Sequence, residues 1–344
     1  MRSAVLTGKR EIKVLETNDI LSKDGSVVIE VTRAGICGSD IHNWELGLPE
    51  NLIMGHEFCG IVLDPGARGD LKIGDKITAL PISPCGACSA CLSGNHQYCP
   101  NTWTNAVGLS LTNPGAYALK TSVRPDLAIK IPNSISDDEI AMVEPVAVGL
   151  HAIHLANIKI GDNVLVIGAG IIGDICAMFA KMNGASYVAI SETNEKRGKK
   201  AVKLNCADEW FNAKNDDFLK KVKRVCPFGY DVVIDCSGNS NAVTSSLSCV
   251  KANGTVVMVG VSVSNISIPS SLIVMQELNI KGAIAYTVKE FVKCIELIRD
   301  KKIDVLKFVD DIVSLDEVQK SFERLTKGDD AAIKILIDPK KQTI

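Results

Sequence analysis

The chain has 344 residues, 46% of them hydrophobic and 23% charged, with a formal net charge of −2. That length exceeds one hydrophobic core, so two domains are expected. The balanced charge removes the electrostatic case for nucleic acid or an anionic membrane surface, and no apolar run reaches bilayer length. Met1 to Leu6 runs directly into strand-like sequence without a signal-peptide core, so a cytoplasmic location is expected. In a reducing compartment, clustered cysteines among the twelve are expected to bind metal rather than to pair as disulfides.

Residues 1 to about 35 read as β-structure: Ser3–Thr7, Ile12–Leu15 and Ser26–Val31, the last buried on both faces. A ligand-type cluster follows, Cys37-Gly38-Ser39-Asp40-Ile41-His42, and thirteen residues later Gly55-His56-Glu57. Thiolate, imidazole and carboxylate are the side chains that hold Zn²⁺, and a catalytic zinc takes three protein ligands with one position open. Cys37, His56 and one carboxylate supply that set. Ser39 and His42 lie where a hydroxyl and an imidazole can pass a proton outward. Any one of these residues, taken alone, reads as a buried cysteine or an incidental histidine; the rest of the chain argues otherwise.

Phe58–Leu63 reads as the next strand, ending at Asp64-Pro65-Gly66, and Lys72–Ile77 as a turn followed by a strand. The N-terminal part is therefore a β-rich, mostly antiparallel body. Next comes Cys85-x2-Cys88-x2-Cys91-x7-Cys99, between Pro84 and Pro100. Four thiolates this close can complete a tetrahedral shell with no open position, as in a structural zinc. Ferredoxin-type iron–sulfur runs place three residues before the last cysteine, against seven here, so zinc is the expected occupant.

Gly115–Lys120 and Leu127–Pro132 return to strand. Asp137-Asp138-Glu139 opens a helix, and Pro145 suits the first turn of another that continues through Ala156. Glu144, just ahead of that start, is a poor core residue and wants a cation. His151 and His154 on the same helix read as structural.

From Asn163 strands alternate with helices. Val164–Ile167 is followed at once by Gly168-Ala169-Gly170-Ile171-Ile172-Gly173 and a helix to about Asn183; Tyr187–Ile190 then leads to Glu192. Gly-x-Gly-x-x-Gly alone is weak, but after a strand, opening a helix, and with an acid about twenty residues on, it marks a dinucleotide site. The glycines admit a pyrophosphate at the positive helix end, and Glu192 accepts the ribose hydroxyls. Asp231–Asp235, Thr255–Gly260 and Asn279–Ile284 continue the sheet. Past residue 285, Lys289–Arg299 and Leu315–Leu325 read as amphipathic helices. Ala331–Ile337 reads as a closing strand that returns to the first domain.

With these motifs assembled, the chain resembles the zinc-dependent medium-chain dehydrogenase/reductase family over essentially its whole length. Residues 37–47 are similar to sorbitol (L-iditol) dehydrogenases, and Glu144–Ala152 to galactitol-phosphate dehydrogenases. Ile190–Arg197 and Gly282–Tyr286 are similar to 2,3-butanediol dehydrogenases. The resemblance implies an α/β fold: a GroES-like β-rich catalytic domain, residues 1–148 and 286–344, with an inserted Rossmann doubly wound parallel-sheet domain, residues 149–285. It implies two Zn²⁺ per chain. Cys37, His56 and either Glu57 or Glu144 hold the catalytic one, and Cys85, Cys88, Cys91 and Cys99 the structural one. NAD is the implied cofactor, bound through Gly168, Gly170, Ile171, Ile172, Gly173, Glu192 and Arg197. Asp40 is expected to orient His56 from behind, while Ser39 takes the substrate hydroxyl proton and His42 relays it to solvent.

The implied reaction moves a hydride between the secondary hydroxyl of a small diol or polyol and NAD, in a homo-oligomer, tetramer or dimer. Two departures narrow the substrate. Sorbitol dehydrogenases carry a tyrosine where this chain has Asn43 and a polyol-contacting arginine where it has Ala285. Both point to a short diol, with a galactitol-phosphate-type or sorbitol dehydrogenase as the alternative. Asp174 also departs, standing where an apolar residue is usual. A reading of a different class is a non-catalytic dinucleotide-binding module. Such relatives lose the metal ligands, whereas this chain keeps every one.

Overall fold

The computed structural model describes residues 1–262 and 265–342. The fold is α/β, and the chain groups into two compact units. One comprises Met1–Pro145, Thr287–Lys327 and Lys334–Ile344; the other comprises Val146–Tyr286 and Gly328–Ile333.

In the first unit β1 (Arg2–Gly8) and β2 (Glu11–Glu16) form an antiparallel hairpin. β3 (Val27–Gly35) leads into α1 (Gly38–Leu46) and pairs antiparallel with β4 (Glu57–Asp64). β5 (Lys76–Ala79) extends the sheet from β4, and α2 (Ser89–Leu92) lies among the clustered cysteines. β6 (Lys120–Val123) pairs with β3, and β7 (Ala128–Lys130) with β5. The strand expected from Gly115 starts only at Lys120. Upstream, the N–H groups of Gly115, Ala116 and Tyr117 go instead to the carbonyls of Ile53, Gly55 and Met54, in the segment that carries His56. α3 (Asp137–Ala141) begins with a reciprocal cap: Ser136 N–H donates to Glu139 Oε2 at 3.0 Å, and Glu139 N–H to Ser136 Oγ at 3.3 Å. α4 (Val143–Ala156) follows.

The second unit alternates β8 (Asn163–Ile167), α5 (Ile171–Met182), β9 (Tyr187–Glu192), α6 (Glu195–Lys203), β10 (Glu209–Asn212), α7 (Phe218–Val225), β11 (Tyr230–Asp235), α8 (Ser240–Cys249), β12 (Val250–Met258), α9 (Ser270–Met275) and β13 (Asn279–Gly282). The six strands are all parallel, in the order β10-β9-β8-β11-β12-β13. This is the doubly wound arrangement of dinucleotide-binding sheets, in which ligands bind where the strand order reverses, here at β8 and β11. Val164, Leu165, Val166, Val188, Ala189 and Ile190 are fully buried, as strands covered on both faces require.

The chain then adds α10 (Val288–Arg299), β14 (Asp311–Val313), α11 (Val318–Thr326) and β15 (Ile335–Ile337) to the first unit. β15 pairs with β3, Leu336 opposite Gly35. The closing strand is shorter than its apolar run because the N–H groups of Ala332 and Lys334 go to the side chains of Asp330 and Asp310. Phe322 of α11 is fully buried, its ring 5.8 Å from Trp44 of α1 and edge-on to Tyr117 at 6.2 Å. Burying such a ring contributes about 1.5–3 kcal/mol, and each aromatic pair about 0.5–1.5 kcal/mol more. The C-terminal helix thus clamps α1 in place.

Candidate active site

Cys37 is the N-cap of α1, in extended backbone directly after β3. His56 and Glu57 stand at the head of β4, where Glu57 pairs with Gly35. The pairing of β3 with β4 therefore brings three ligand-type side chains together: one ligand atom from each of Cys37, His56 and Glu57 lies within 4.8 Å of the others. Two glycines make room. Gly55 has φ +102°, and a Cβ there would stand 2.5 Å from Tyr117 Cδ1; a Cβ on Gly35 would overlap Glu57 Oε2.

The His56 Nδ1 lies 3.5 Å from Asp40 Oδ1, and both atoms are buried without another hydrogen-bond partner. A proton on Nδ1, facing that carboxylate, leaves the Nε2 lone pair for a metal. Burial works against a charged imidazole, but Asp40 and Cys37 beside it outweigh the penalty and raise the His56 pKa well above its ordinary value. Ser39 Oγ is 3.4 Å from His56 Nε2. His42 stands one helical turn further along α1, exposed to solvent. Glu57 is anchored from behind by Lys334, whose Nζ donates to Glu57 Oε2 and, at 2.9 Å, to the carbonyl of Ile36. This donor set of sulfur, nitrogen and oxygen fits Zn²⁺. Glu144, half-buried at the start of α4, does not join the group.

The sulfurs of Cys85, Cys88, Cys91 and Cys99 also lie within 4.8 Å of one another. Cys88 to Cys91 is 3.5 Å and Cys85 to Cys91 is 4.0 Å. A tetrahedron with zinc–sulfur bonds of about 2.3 Å has edges of about 3.8 Å, so the cage already has the dimensions of a zinc site. None of the twelve cysteines is in a disulfide. The N–H groups of Cys85 and Asn101 point at Cys99 Sγ (3.3 and 3.4 Å) and pull its pKa down to about 6, against burial. The N–H groups of Ala87 and Cys88 lower Cys85 in the same way. Burial instead pushes Cys91 up to about 12. A buried thiol becomes a ligand only as its thiolate, and a divalent cation supplies the compensating charge.

In the second unit the three glycines play three different parts. Gly168 turns the chain after β8 with φ +98°, where side chains are strained. A Cβ on Gly170 would meet nothing within 4 Å, so the backbone there is open to a pyrophosphate. A Cβ on Gly173 would overlap the Gly168 carbonyl, so the glycine lets α5 pack close to β8. Ile171 and Ile172 are the first residues of α5. Glu192 ends β9, its Oε2 accepting Ala169 N–H at 2.8 Å and its Oε1 the N–H groups of Thr193 and Asn194, each at 2.7 Å. The carboxylate thus sits against the glycine turn, beside a cavity of about 340 Å³ lined by Gly168, Glu192, Phe218, Ser237, Asn239 and Ala242 among others. The open backbone, the helix start and this cavity fit a dinucleotide. Arg197, half-buried on α6, is not among the lining residues. Asp174 is fully buried in the first turn of α5, where the helix dipole favours a carboxylate. On α4, His151 is buried and His154 exposed.

Two members of the metal site escape sequence reasoning. Lys334 is a lone cation inside Ile333-Lys334-Ile335-Leu336-Ile337, a pattern that signals a buried counter-ion but does not name it. Tyr117 is fully buried, with its hydroxyl 2.6 Å from Asp40 Oδ2. Nothing local distinguishes it from a core aromatic.

Residues 23–133 match the family model described as Alcohol dehydrogenase GroES-like domain, and residues 172–300 the one described as Zinc-binding dehydrogenase. The sorbitol dehydrogenase of Bacillus subtilis (strain 168) is 30% identical, covering 99% of this chain and 98% of its own. Among solved structures, 2R,3R-butanediol dehydrogenase from Bacillus subtilis has a TM-score of 0.86 at 26% identity, covering 98% of this chain and 99% of that one. A Sinorhizobium meliloti 1021 protein solved bound to NADP has a TM-score of 0.87 at 28% identity, with the same coverage. Relatives matched from end to end, a GroES-like sheet and a doubly wound sheet all lead to one conclusion: the chain belongs to the zinc-dependent medium-chain dehydrogenase family, in its alcohol and polyol dehydrogenase branch.

Proposed function

We propose that the protein oxidises a secondary hydroxyl of a small diol to the ketone, reversibly, with NAD as hydride acceptor. The observation that carries this is the convergence of Cys37, His56 and Glu57, with Ser39 Oγ 3.4 Å from the histidine. When bound, zinc polarises the substrate oxygen and NAD takes the hydride. Cys37, His56 and one of Glu57 and Glu144 would hold the metal, and the Lys334 contact fixes the Glu57 carboxylate in place beside them. The Ser39 hydroxyl receives the substrate's hydroxyl proton. His42, one turn out on α1 and exposed, carries it to solvent. The balance is secondary alcohol plus NAD⁺ to ketone, NADH and one proton.

Each chain is assigned two zinc ions, the second in the four-cysteine lobe, and residues 149–285 are assigned as the NAD-binding domain. NAD is preferred to NADP because the Glu192 carboxylate lies against the glycine turn, where a ribose 2′-phosphate would meet a like charge. A short diol is preferred to a long polyol because Asn43 and Ala285 replace groups that hold the far end of a six-carbon chain. The relationship to a sorbitol dehydrogenase favours a second reading, in which a free polyol is the better substrate. A panel of short diols, free polyols and polyol phosphates, assayed with NAD⁺ on zinc-replete protein, tests both; no turnover of any panel member leaves the non-catalytic reading.

We also assign a tetramer. β13 is an edge strand, and Val261, Val274, Met275 and Ile284 nearby in the chain are exposed. A sheet edge with exposed apolar side chains nearby suits association with further copies. The apolar stretch from Val256 reaches Val263, which lies outside the described residues. Light scattering at micromolar concentration checks this, and a monomeric mass overturns it. No helix among the described residues is long and apolar enough to cross a membrane. With none of its twelve cysteines in a disulfide, the cytoplasm is the assigned location.

A further inference from the structure

We propose that Tyr117 is a positioning residue for the catalytic metal, acting through Asp40 on His56. The inference rests on the assignment of Cys37 and His56 as ligands. Tyr117 is fully buried, and its hydroxyl lies 2.6 Å from Asp40 Oδ2 and 3.1 Å from the Gly35 carbonyl. An ionised carboxylate only accepts hydrogen bonds, and Asp40 is surrounded by donors. Its Oδ2 takes the Tyr117 O–H and, at 3.2 Å, the N–H of Cys37; its Oδ1 faces His56 Nδ1 at 3.5 Å. The phenol therefore fixes which oxygen turns away from the imidazole and which meets it. Without the hydroxyl, that oxygen loses its shortest contact and keeps only the longer one from the Cys37 N–H, so the carboxylate is held less firmly about its last torsion. The imidazole facing it is then oriented less strictly.

The backbone at the same residue is tied to the other ligand-bearing segment. Tyr117 N–H donates to the Met54 carbonyl at 2.9 Å, and Ala116 N–H to that of Gly55 at 2.8 Å. The ring lies so close to Gly55 that a Cβ on that residue would collide with it. Thus the ring braces the backbone entering His56, while the hydroxyl reaches Asp40, three residues after Cys37. A phenylalanine would serve the packing equally well. The buried hydroxyl is spent on the carboxylate, and hydrogen-bonded groups behind a metal-bound histidine set its orientation.

The test compares the full chain with Tyr117→Phe, which keeps the ring and removes one oxygen. Zinc affinity is read by competition with a chromogenic chelator, and ligand geometry by the visible bands of Co²⁺ placed in the same site. The expected result is zinc binding about 10- to 100-fold weaker at one site, with altered Co²⁺ bands. The second zinc and the thermal unfolding temperature stay near those of the parent. Asp40→Asn and the double variant complete a cycle: if Tyr117 acts through Asp40, removing both costs little more than removing Asp40 alone. Zinc affinity equal to or tighter than the parent's, unchanged Co²⁺ bands, or additive losses in the double variant each overturn the role of Tyr117. Cys37→Ser separates the underlying assignment. A Cys37→Ser chain that keeps both zinc ions overturns the ligand set itself. One that loses a single zinc upholds the ligand set, and the tyrosine variant then decides the role of Tyr117.

Discussion

Lys334 and Glu57, 277 residues apart, form an ion pair sealed from water, with side-chain exposures of 0% and 1%. A lysine is among the costliest groups to bury, and it is retained here because its ammonium also donates to the Ile36 carbonyl, one residue before Cys37. The pair thus pins the carboxylate and the approach to α1 at once.

Removing one partner of such a pair leaves an uncompensated buried charge. Lys334→Met is expected to lower unfolding free energy by about 3–5 kcal/mol. Urea denaturation of zinc-replete protein measures it. A loss below about 1 kcal/mol, the scale of an exposed pair, would show that Glu57 is neutral or balanced by another cation.

The two metal positions should part company under chelation. The four-cysteine cage has sulfur spacings of 3.5 and 4.0 Å and leaves no ligand position free, whereas the Cys37 group keeps one open. Elemental analysis should find two zinc ions per chain. On chelator titration, activity should vanish with loss of the first ion, and unfolding should accompany loss of the second. Iron with acid-labile sulfide would sink the structural-zinc assignment.

On the proposed function, cofactor choice is expected to turn on Glu192. The parent should favour NAD over NADP in kcat/KM by tenfold or more, about 1.4 kcal/mol. Glu192→Ala should erase most of that preference by gaining NADP activity. Equal efficiency of the parent with both cofactors shows that the carboxylate does not face the ribose.

Substrate length is the fourth expectation. A site that hydrogen-bonds a second oxygen discriminates against analogues lacking it, because its polar groups are left unpaired. With Asn43 and Ala285 in place, 2,3-butanediol or another short diol should exceed sorbitol and xylitol in kcat/KM. Polyol phosphates should be poorer still. Sorbitol winning by tenfold, about 1.4 kcal/mol of transition-state preference, would show that these two positions do not govern chain length.

Much of this was legible in the chain because the chemistry is local. The sulfurs of Cys85 to Cys99 come from fifteen consecutive residues, so their spacing specifies them, and the six-residue glycine turn is specified by its spacing together with the strand before it and the helix after it. The doubly wound strands were legible because burial on both faces leaves unbroken apolar runs such as Val164–Ile167. The legible part ends where a residue's meaning lies in a distant partner. Tyr117 reads as core until Asp40 is seen beside it, and Lys334 reads as an anomaly until Glu57 is. The strand expected at Gly115 starts late for the same reason, since the N–H groups of Gly115, Ala116 and Tyr117 serve the segment that carries His56.

Two metal positions built on such different scales are also separated in time. The cysteine cage is complete once residue 99 has been made, so a chain still being synthesised already carries every ligand for its first ion. The group at Cys37 draws its counter-ion from Lys334, and Phe322 packs on the Trp44 and Tyr117 rings beside it, both far later in the chain. Its ligands can be synthesised early, yet they reach their final environment only when β15 has joined β3. The four-cysteine cage can therefore assemble from one short stretch while the chain is still being made, whereas the group at Cys37 waits for a strand more than two hundred residues further on.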